Sequence, residues 1–198
     1  MSKQMGNNNI YAAIREWAIA RNLIDGCTAK DQALKLSSEF GEFALAFMGK
    51  CGQDEDKRYI DMKDGIGDSI VVLTIIAAQI GVNIETISPN PPSDFKYLAA
   101  TYKVIGTQVA IGNLSDSLLK NNLIDARVQI RTVLDCLQRL ENEFGFARYE
   151  CVMAAYEEIK DRMGVMYNGT FIKSTDENYA RAMAEIEALD QQRAANPD

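Results

Sequence analysis

The run IVVLTIIAAQIGV, residues 70 to 82, limits what this chain can fold into more than any other stretch. Wound as a helix it is apolar nearly all round, so other elements must cover most of its faces. It also falls short of the roughly 20 residues a helix needs to span a bilayer. The reading is a buried central helix wrapped by other helices. Asp68 stands at the edge of this run. A carboxylate there needs a cation, a metal or hydrogen-bond donors, because taking an unpaired charge out of water is expensive.

Asp68 is one of several acids at turn spacing. Positions three, four and seven apart share a helix face, so Asp61, Asp64 and Asp68 form one acidic stripe, and Glu39 with Glu42 forms another on the preceding helix. That preceding helix, QALKLSSEFGEFALAFMGK, places Ala33, Leu36, Phe40, Phe43 and Phe47 on its buried side. Gly41 and Gly67 lie inside these helices, where glycine costs about 1 kcal/mol against alanine. Close packing at the two glycines would offset that cost and bring both stripes into one cleft. Paired acids on a single helix are usually a solvated face; two pairs on successive helices with apolar backs favour a divalent cation. Asp61 reads as a plain surface acid.

The 198 residues suit one domain with a substantial core. A net charge of -7, with no clustered Lys and Arg, argues against nucleic acid or an anionic membrane surface as partner. The chain has no histidine, which removes Ser-His and Cys-His nucleophile systems and His-based metal sites. Oxygen ligands remain, and these suit Mg²⁺, or Mn²⁺, over zinc. Cys27, Cys51, Cys136 and Cys151 show no C-x-x-C spacing and read as free thiols in a reducing, cytoplasmic setting; MSKQMGNNN has no apolar signal region. Gly164 and Gly169-Thr170 echo a phosphate loop without its lysine, and Gly65-Ile66-Gly67 lies within a helix, so neither is a nucleotide fingerprint.

In chain order, residues 1 to 9 are polar and expected to be disordered. Helices are expected from Ile10 to Leu23, from a Thr28/Asp31 capping box to about Lys50-Cys51-Gly52, and from Asp61 to Val82 after a solvated QDEDKR stretch. SPNPPSD, residues 88 to 94, forbids helix. Further helices follow from Phe95 to Leu114, Leu123 to Phe144 and Ala147 to Met163, the last stopped by Gly164. An Asn168-Gly169 turn, a short strand at Thr170 to Lys173 and a helix from Asp176 to Gln191 complete the chain. The fold class is all-α.

Four segments carry a resemblance: W-x₃-R-N-L-I, QALKLSSEFGEF, KDGIGDSIVVL and EIKDRMGVMYNGTFIK. Together they resemble the MazG-like all-α nucleoside triphosphate pyrophosphohydrolases, in particular phage-type members, over most of residues 14 to 88 and 148 to 174. The resemblance implies a four-helix bundle core and Mg²⁺-dependent hydrolysis of a nucleoside triphosphate to the monophosphate and pyrophosphate. It places Glu39 and Glu42 as the first ligand pair and Asp68 as the last. The family often has Glu three residues before that Asp; here Gly65 stands there and Asp64, one residue earlier, substitutes on the same face. The family's usual Asn of the last motif is Glu157. In this reading Glu39 or Glu42 orients or deprotonates the water, and Asp64 and Asp68 complete the metal site. Lys35, Lys160, Arg162 and Lys173 bind phosphate oxygens, and Trp17, otherwise a core residue, touches the base. The segment from Lys160 to Lys173 is expected to close over substrate. Two other readings use the same residues: a catalytically inactive nucleotide-binding regulator and a metal-stabilised interaction module.

Residues 95 to 147 lie outside the single-module pattern. At a constant offset Ile60-Asp61 falls on Ile124-Asp125, Ile66 on Ile130, Leu73 on Leu137 and Gly81 on Gly145; one residue further, Phe40-Gly41 falls on Ile105-Gly106. Glu39, Glu42, Asp64 and Asp68 then meet Val104, Thr107, Val128 and Thr132. The stretch reads as a degenerate second helix pair that keeps the packing role without the acids. The domain expectation is one all-α unit over 1–198: catalytic helices in 10–88, the second pair in 95–147, and a C-terminal helix with a substrate-closing tail in 148–198. A homodimer is compatible with this plan.

Overall fold

The computed structural model describes residues 10–49, 54–91 and 97–195. Among these the fold is all-α with one small hairpin. The order is α1 (Ile10–Ala20), α2 (Ala29–Met48), α3 (Glu55–Gln79), a 3₁₀ turn (Ile84–Thr86), α4 (Ala100–Leu119), α5 (Leu123–Phe144), α6 (Arg148–Ile159), β1 (Gly164–Tyr167), β2 (Thr170–Lys173) and α7 (Tyr179–Ala195).

Helix α3 is the centre, and from Ser69 to Ala77 every residue is buried. It packs against α2, α6, α1 and α5, while α2 also packs on α4 and α4 on α5. Helices α2, α3, α5 and α4 thus close a ring of contacts around one core. No described helix is long and apolar enough to cross a membrane.

Helix boundaries follow caps more than apolar spacing. Thr28 and Asp31 form the expected capping box, with the Thr28 amide on Asp31 Oδ2 at 2.8 Å. α2 stops at Met48 with Gly49 at φ 69°, before Lys50-Cys51-Gly52, which lie outside the described residues. The charged stretch before Asp61, open to a loop or a first turn from sequence, is the first turn of α3. Asp54 caps α3 and Glu55 and Asp56 fill its first turn, where acids suit the dipole. Arg58 on that turn donates to the carbonyls of Ala46 and Phe47, satisfying the open end of α2. α3 ends at Gln79, short of Val82. α4 runs from Ala100 to Leu119, five residues later than read, and part of the proline break, residues 92–96, lies outside the described residues. α5 has the expected bounds and closes on Gly145 at φ 71°. The expected disorder of residues 1 to 9, and Cys51, also fall outside the description; Cys27, Cys136 and Cys151 are free thiols.

Gly41 and Gly67 do not press α2 and α3 together. A Cβ at Gly41 would meet nothing within 4 Å, whereas at Gly65 it would stand 2.8 Å from Phe43 Cβ. Helices α2 and α3 therefore meet at Phe43 and Gly65. Gly67 faces α6, where its Cβ would lie 2.3 Å from the Cys151 carbonyl oxygen. Glycine admits two neighbours to α3 on two sides.

The expected pairing of α4 with α2 is also out of register. Ile105, the counterpart of Phe40, is 54% exposed. The buried residues Ala33, Leu36, Phe40 and Phe43 of α2 match Val104, Thr107, Ile111 and Leu114 of α4, six residues on from the expected register. The α3–α5 pairing fits the burial: Met62, Ile66, Ile70 and Leu73 are buried, as are Ala126, Ile130, Leu134 and Leu137.

Gly164 does not stop α6. The helix ends at Ile159, and Gly164 opens β1, paired antiparallel with β2 so that Val165 faces Ile172 and Met166 faces Phe171. Asn168 and Gly169, at φ 48° and 75°, make the two-residue turn. The hairpin is tied to the α1–α2 connection. Met166 N–H donates to the Arg21 carbonyl at 2.7 Å, Asn22 Nδ2 to the Met166 carbonyl at 2.8 Å, and Gly169 N–H to the Gly26 carbonyl at 3.2 Å. α7 starts at Tyr179 because Asp176 forms a turn with the Asn178 amide before it. It lies on the hairpin, with Tyr167 donating to Glu185.

Candidate active site

The acids gather where α2, α3 and α6 meet. Glu39 points inward from α2, only 6% exposed, and pairs with Lys35 one turn before it. Glu42, one turn on, is exposed. Asp64 and Asp68 are half-buried on the facing side of α3. Burial pushes the Asp64 carboxyl above its ordinary range, and the charges of Glu158, Glu39, Glu42 and Asp61 push it further. Asp68 goes up to about 7, first through burial, then through Asp64, Glu39 and Glu158, with Lys35 opposing. Like charges held together behind an apolar wall account for both shifts. Asp61 pairs with Lys57 at 3.4 Å on an exposed turn, in keeping with a surface acid.

Glu158 of α6 was not singled out by the sequence. Its signal lay in the second acid of EEIKDR, which only the docking of α6 on α3 brings to Asp64 and Asp68.

Beside the acids opens a cavity of about 970 Å³. Its charged end holds Glu39, Asp68 and Lys35, with Arg162 and Lys173 contributed from the segment around the hairpin. Its apolar end is walled by Val72 and Ile75 of α3, Trp17 of α1, and Met166 and Phe171 of the hairpin. Trp17 is fixed in place: Nε1 donates to the Ile159 carbonyl at 2.8 Å, and the Arg21 guanidinium lies 4.9 Å over its ring. Arg21 itself donates to the Lys160 and Arg162 carbonyls at 2.9 and 2.6 Å, which sets the chain leading into the hairpin.

Of the residues singled out from sequence, Glu39, Asp68, Lys35, Arg162, Lys173 and Trp17 line this one cavity. Glu42 and Asp64 are not on its wall; the charge of Glu42 raises the Asp64 carboxyl, and that of Asp64 raises Asp68. Lys160 does not reach it. Its ammonium pairs with Glu157 on the exposed turn, and what it offers the site is its backbone carbonyl under Arg21.

Among the described residues no three Asp, Glu or Cys side chains converge as a ready-made metal cage. The donor set is carboxylate oxygens only, whose charges raise the Asp64 and Asp68 carboxyls, beside a cavity that also presents basic side chains; oxygen donors of this kind could hold a hard cation.

No family model matches the chain, and no solved structure matches it. A protein of Haemophilus phage HP1, described as an uncharacterized 18.2 kDa protein in the rep-hol intergenic region, is 28% identical over 159 residues, covering 72% of this chain and 93% of the relative.

Proposed function

We propose that this chain is a Mg²⁺-dependent nucleoside triphosphate pyrophosphohydrolase, cleaving between the α and β phosphates to give the monophosphate and pyrophosphate. The observation that carries the reading is one cavity whose charged end brings acidic and basic side chains together and whose apolar end holds a pinned tryptophan. A triphosphate with its base has that order of chemistry along its length. The resemblance to MazG-like enzymes assigns Glu39 and Asp68 of this cavity, with Glu42 beside it, as metal ligands.

Glu39, Glu42, Asp64 and Asp68 would hold the cation, and Glu158 adds a further carboxylate beside them. Bound there, Mg²⁺ supplies neutralisation of phosphate charge and a more acidic bound water. The chain's own groups do the rest. Glu39 or Glu42 accepts the proton as the water oxygen bonds the α-phosphorus and the bond to the α–β bridging oxygen breaks. Lys35, Arg162 and Lys173 hold phosphate oxygens, and the apolar walls exclude bulk water.

The test is pyrophosphate release on mixing with Mg²⁺ and each triphosphate in turn. Glu39→Gln should abolish release while helix content stays at the wild-type level; most of the turnover surviving that change would sink the assignment. A second reading, a nucleotide binder that does not hydrolyse, draws on the Lys35–Glu39 pair and the lack of three converging carboxylates. Saturable nucleotide binding without pyrophosphate release would favour it.

A further inference from the structure

The apolar end of the cavity contains one buried polar side chain that the triphosphate chemistry does not use. Gln32, in the first turn of α2, lines the cavity at 6% exposure, between Asp31 and Lys35 of the same helix and beside Leu23 and Cys27 on the same wall. Its amide is oriented by the protein. Nε2 donates to Cys27 Sγ at 3.2 Å, and the Cys27 thiol donates onward to the Leu23 carbonyl at 3.3 Å. Gln79 of α3 fixes the loop beneath, its Nε2 donating to the Leu23 and Cys27 carbonyls at 2.9 and 3.0 Å. With one amide N–H committed to sulfur, the Gln32 carboxamide oxygen is the acceptor this side chain can offer a ligand in the cavity. A buried carboxamide needs its partners, and an apolar pocket with one oriented polar group is how sites discriminate between ligands of similar size.

We infer that Gln32 is the residue that selects the substrate's base, accepting a hydrogen bond from an N–H on the base edge, and that Cys27 and Gln79 are positioning residues that hold its amide in that orientation. The inference rests on the proposed hydrolysis for its setting, since that reading puts the phosphates at the acidic mouth and so the base at this end. Trp17 supplies a ring on the wall of the same pocket. A hydrogen-bonding group in such a pocket penalises the wrong ligand twice, through the bond not made and through the polar group left buried and unpaired.

The experiment replaces Gln32→Met, which keeps the length and flexibility of the side chain and removes its hydrogen bonding, with circular dichroism to check the fold. Wild type and variant are compared by kcat/KM on the four common deoxynucleoside triphosphates. The preferred base should lose about 10- to 100-fold while the others change little, so that the spread between bases collapses. Cys27→Ala, which leaves Gln32 in place but unanchored, should narrow the same spread by a smaller factor. A uniform fall across all four bases, or an unchanged preference, overturns the inference while leaving the hydrolytic reading intact. Should the wild type release no pyrophosphate from any of them, the hydrolytic reading fails by itself. Binding of the four nucleosides, read from the fluorescence of Trp17, the only tryptophan in the chain, then decides. Base discrimination lost in Gln32→Met supports the inference; discrimination retained in the variant, or absent from the wild type, overturns it.

Discussion

Replacing Asp68 by Asn isolates the electrostatic cost stored at the acidic mouth. Asp68 rises from 3.8 to about 7 in the folded chain, through burial first and then through Asp64, Glu39 and Glu158. Between those two values the folded state holds the proton and the unfolded state does not. Stability therefore falls as pH rises through this window, and the full cost is present above pH 7. Three units correspond to about 4 kcal/mol; with Asp68 only half-buried, solvent screening brings this to about 2 kcal/mol. In a chain of this size that is about 4–8 °C in Tm. No histidine is present to titrate in the same range, so the transition belongs to perturbed carboxylates and the α-amino group. Thermal melts in EDTA should show the wild type losing stability from pH 5 to pH 8, and Asp68→Asn losing much less and matching or exceeding the wild type at pH 8. Added Mg²⁺ should stabilise the wild type at pH 8 by about 2.7 kcal/mol at a hundred times Kd, read as a higher Tm, and much less at pH 5. The same pH slope in both proteins, or an Asn variant less stable at pH 8, would show that Asp68 carries no such cost.

The packing glycines predict opposite effects. Gly67→Ala must displace the Cys151 backbone and should cost about 1–3 kcal/mol, whereas Gly41→Ala meets open space and should add up to about 1 kcal/mol, both read from urea unfolding. Among the basic residues, Arg162→Ala and Lys173→Ala should each raise KM for a triphosphate about tenfold, and Lys160→Ala should leave it within about twofold because that ammonium is engaged with Glu157. Arg21→Met removes the bonds to the Lys160 and Arg162 carbonyls and should make the chain between α6 and β1 the first site of limited proteolysis; cleavage as slow as in wild type would show that the other ties suffice.

Helix existence was legible because the apolar pattern of each segment is strong, and α5, with Asn122 at one end and Gly145 at the other, was legible to the residue. Ends set by charge were not. Asp54, Glu55 and Asp56 look like a loop until the dipole of a long following helix is counted. The hairpin was half legible: Asn168-Gly169 and Thr170–Lys173 stand out, while Gly164 reads as the stop of a helix and not as the start of a strand. Glu39, Asp68 and Trp17 could be picked from spacing because each sits on a face with a repeating apolar back. Glu158 and Gln32 could not. Their roles depend on which helix docks where, and nothing local separates Gln32 from a solvated first-turn glutamine.

The ring of α2, α3, α5 and α4 suggests why a chain of this length would carry one acidic site. An α2–α3 pair with an apolar back must bury it against a partner, and α4 and α5 are that partner here. In the register that burial defines, Ala110 takes the place of Glu39 and Asn113 that of Glu42, while Val128 and Thr132 stand where α3 has Asp64 and Asp68. Ala110 is buried, Val128 is exposed, and Thr132 bonds its own helix at the Val128 carbonyl. None of these four can ligate a hard cation through a carboxylate. The partner pair thus keeps the surface that α2 and α3 require and offers no second set of ligands. Titration with Mn²⁺, followed by electron paramagnetic resonance, should saturate with the sites of one acidic cluster per chain and should lose them in Asp68→Asn. A second set of equal affinity that survives Asp68→Asn would place cation-binding groups in α4 and α5, and the reading of that pair as packing alone would fall.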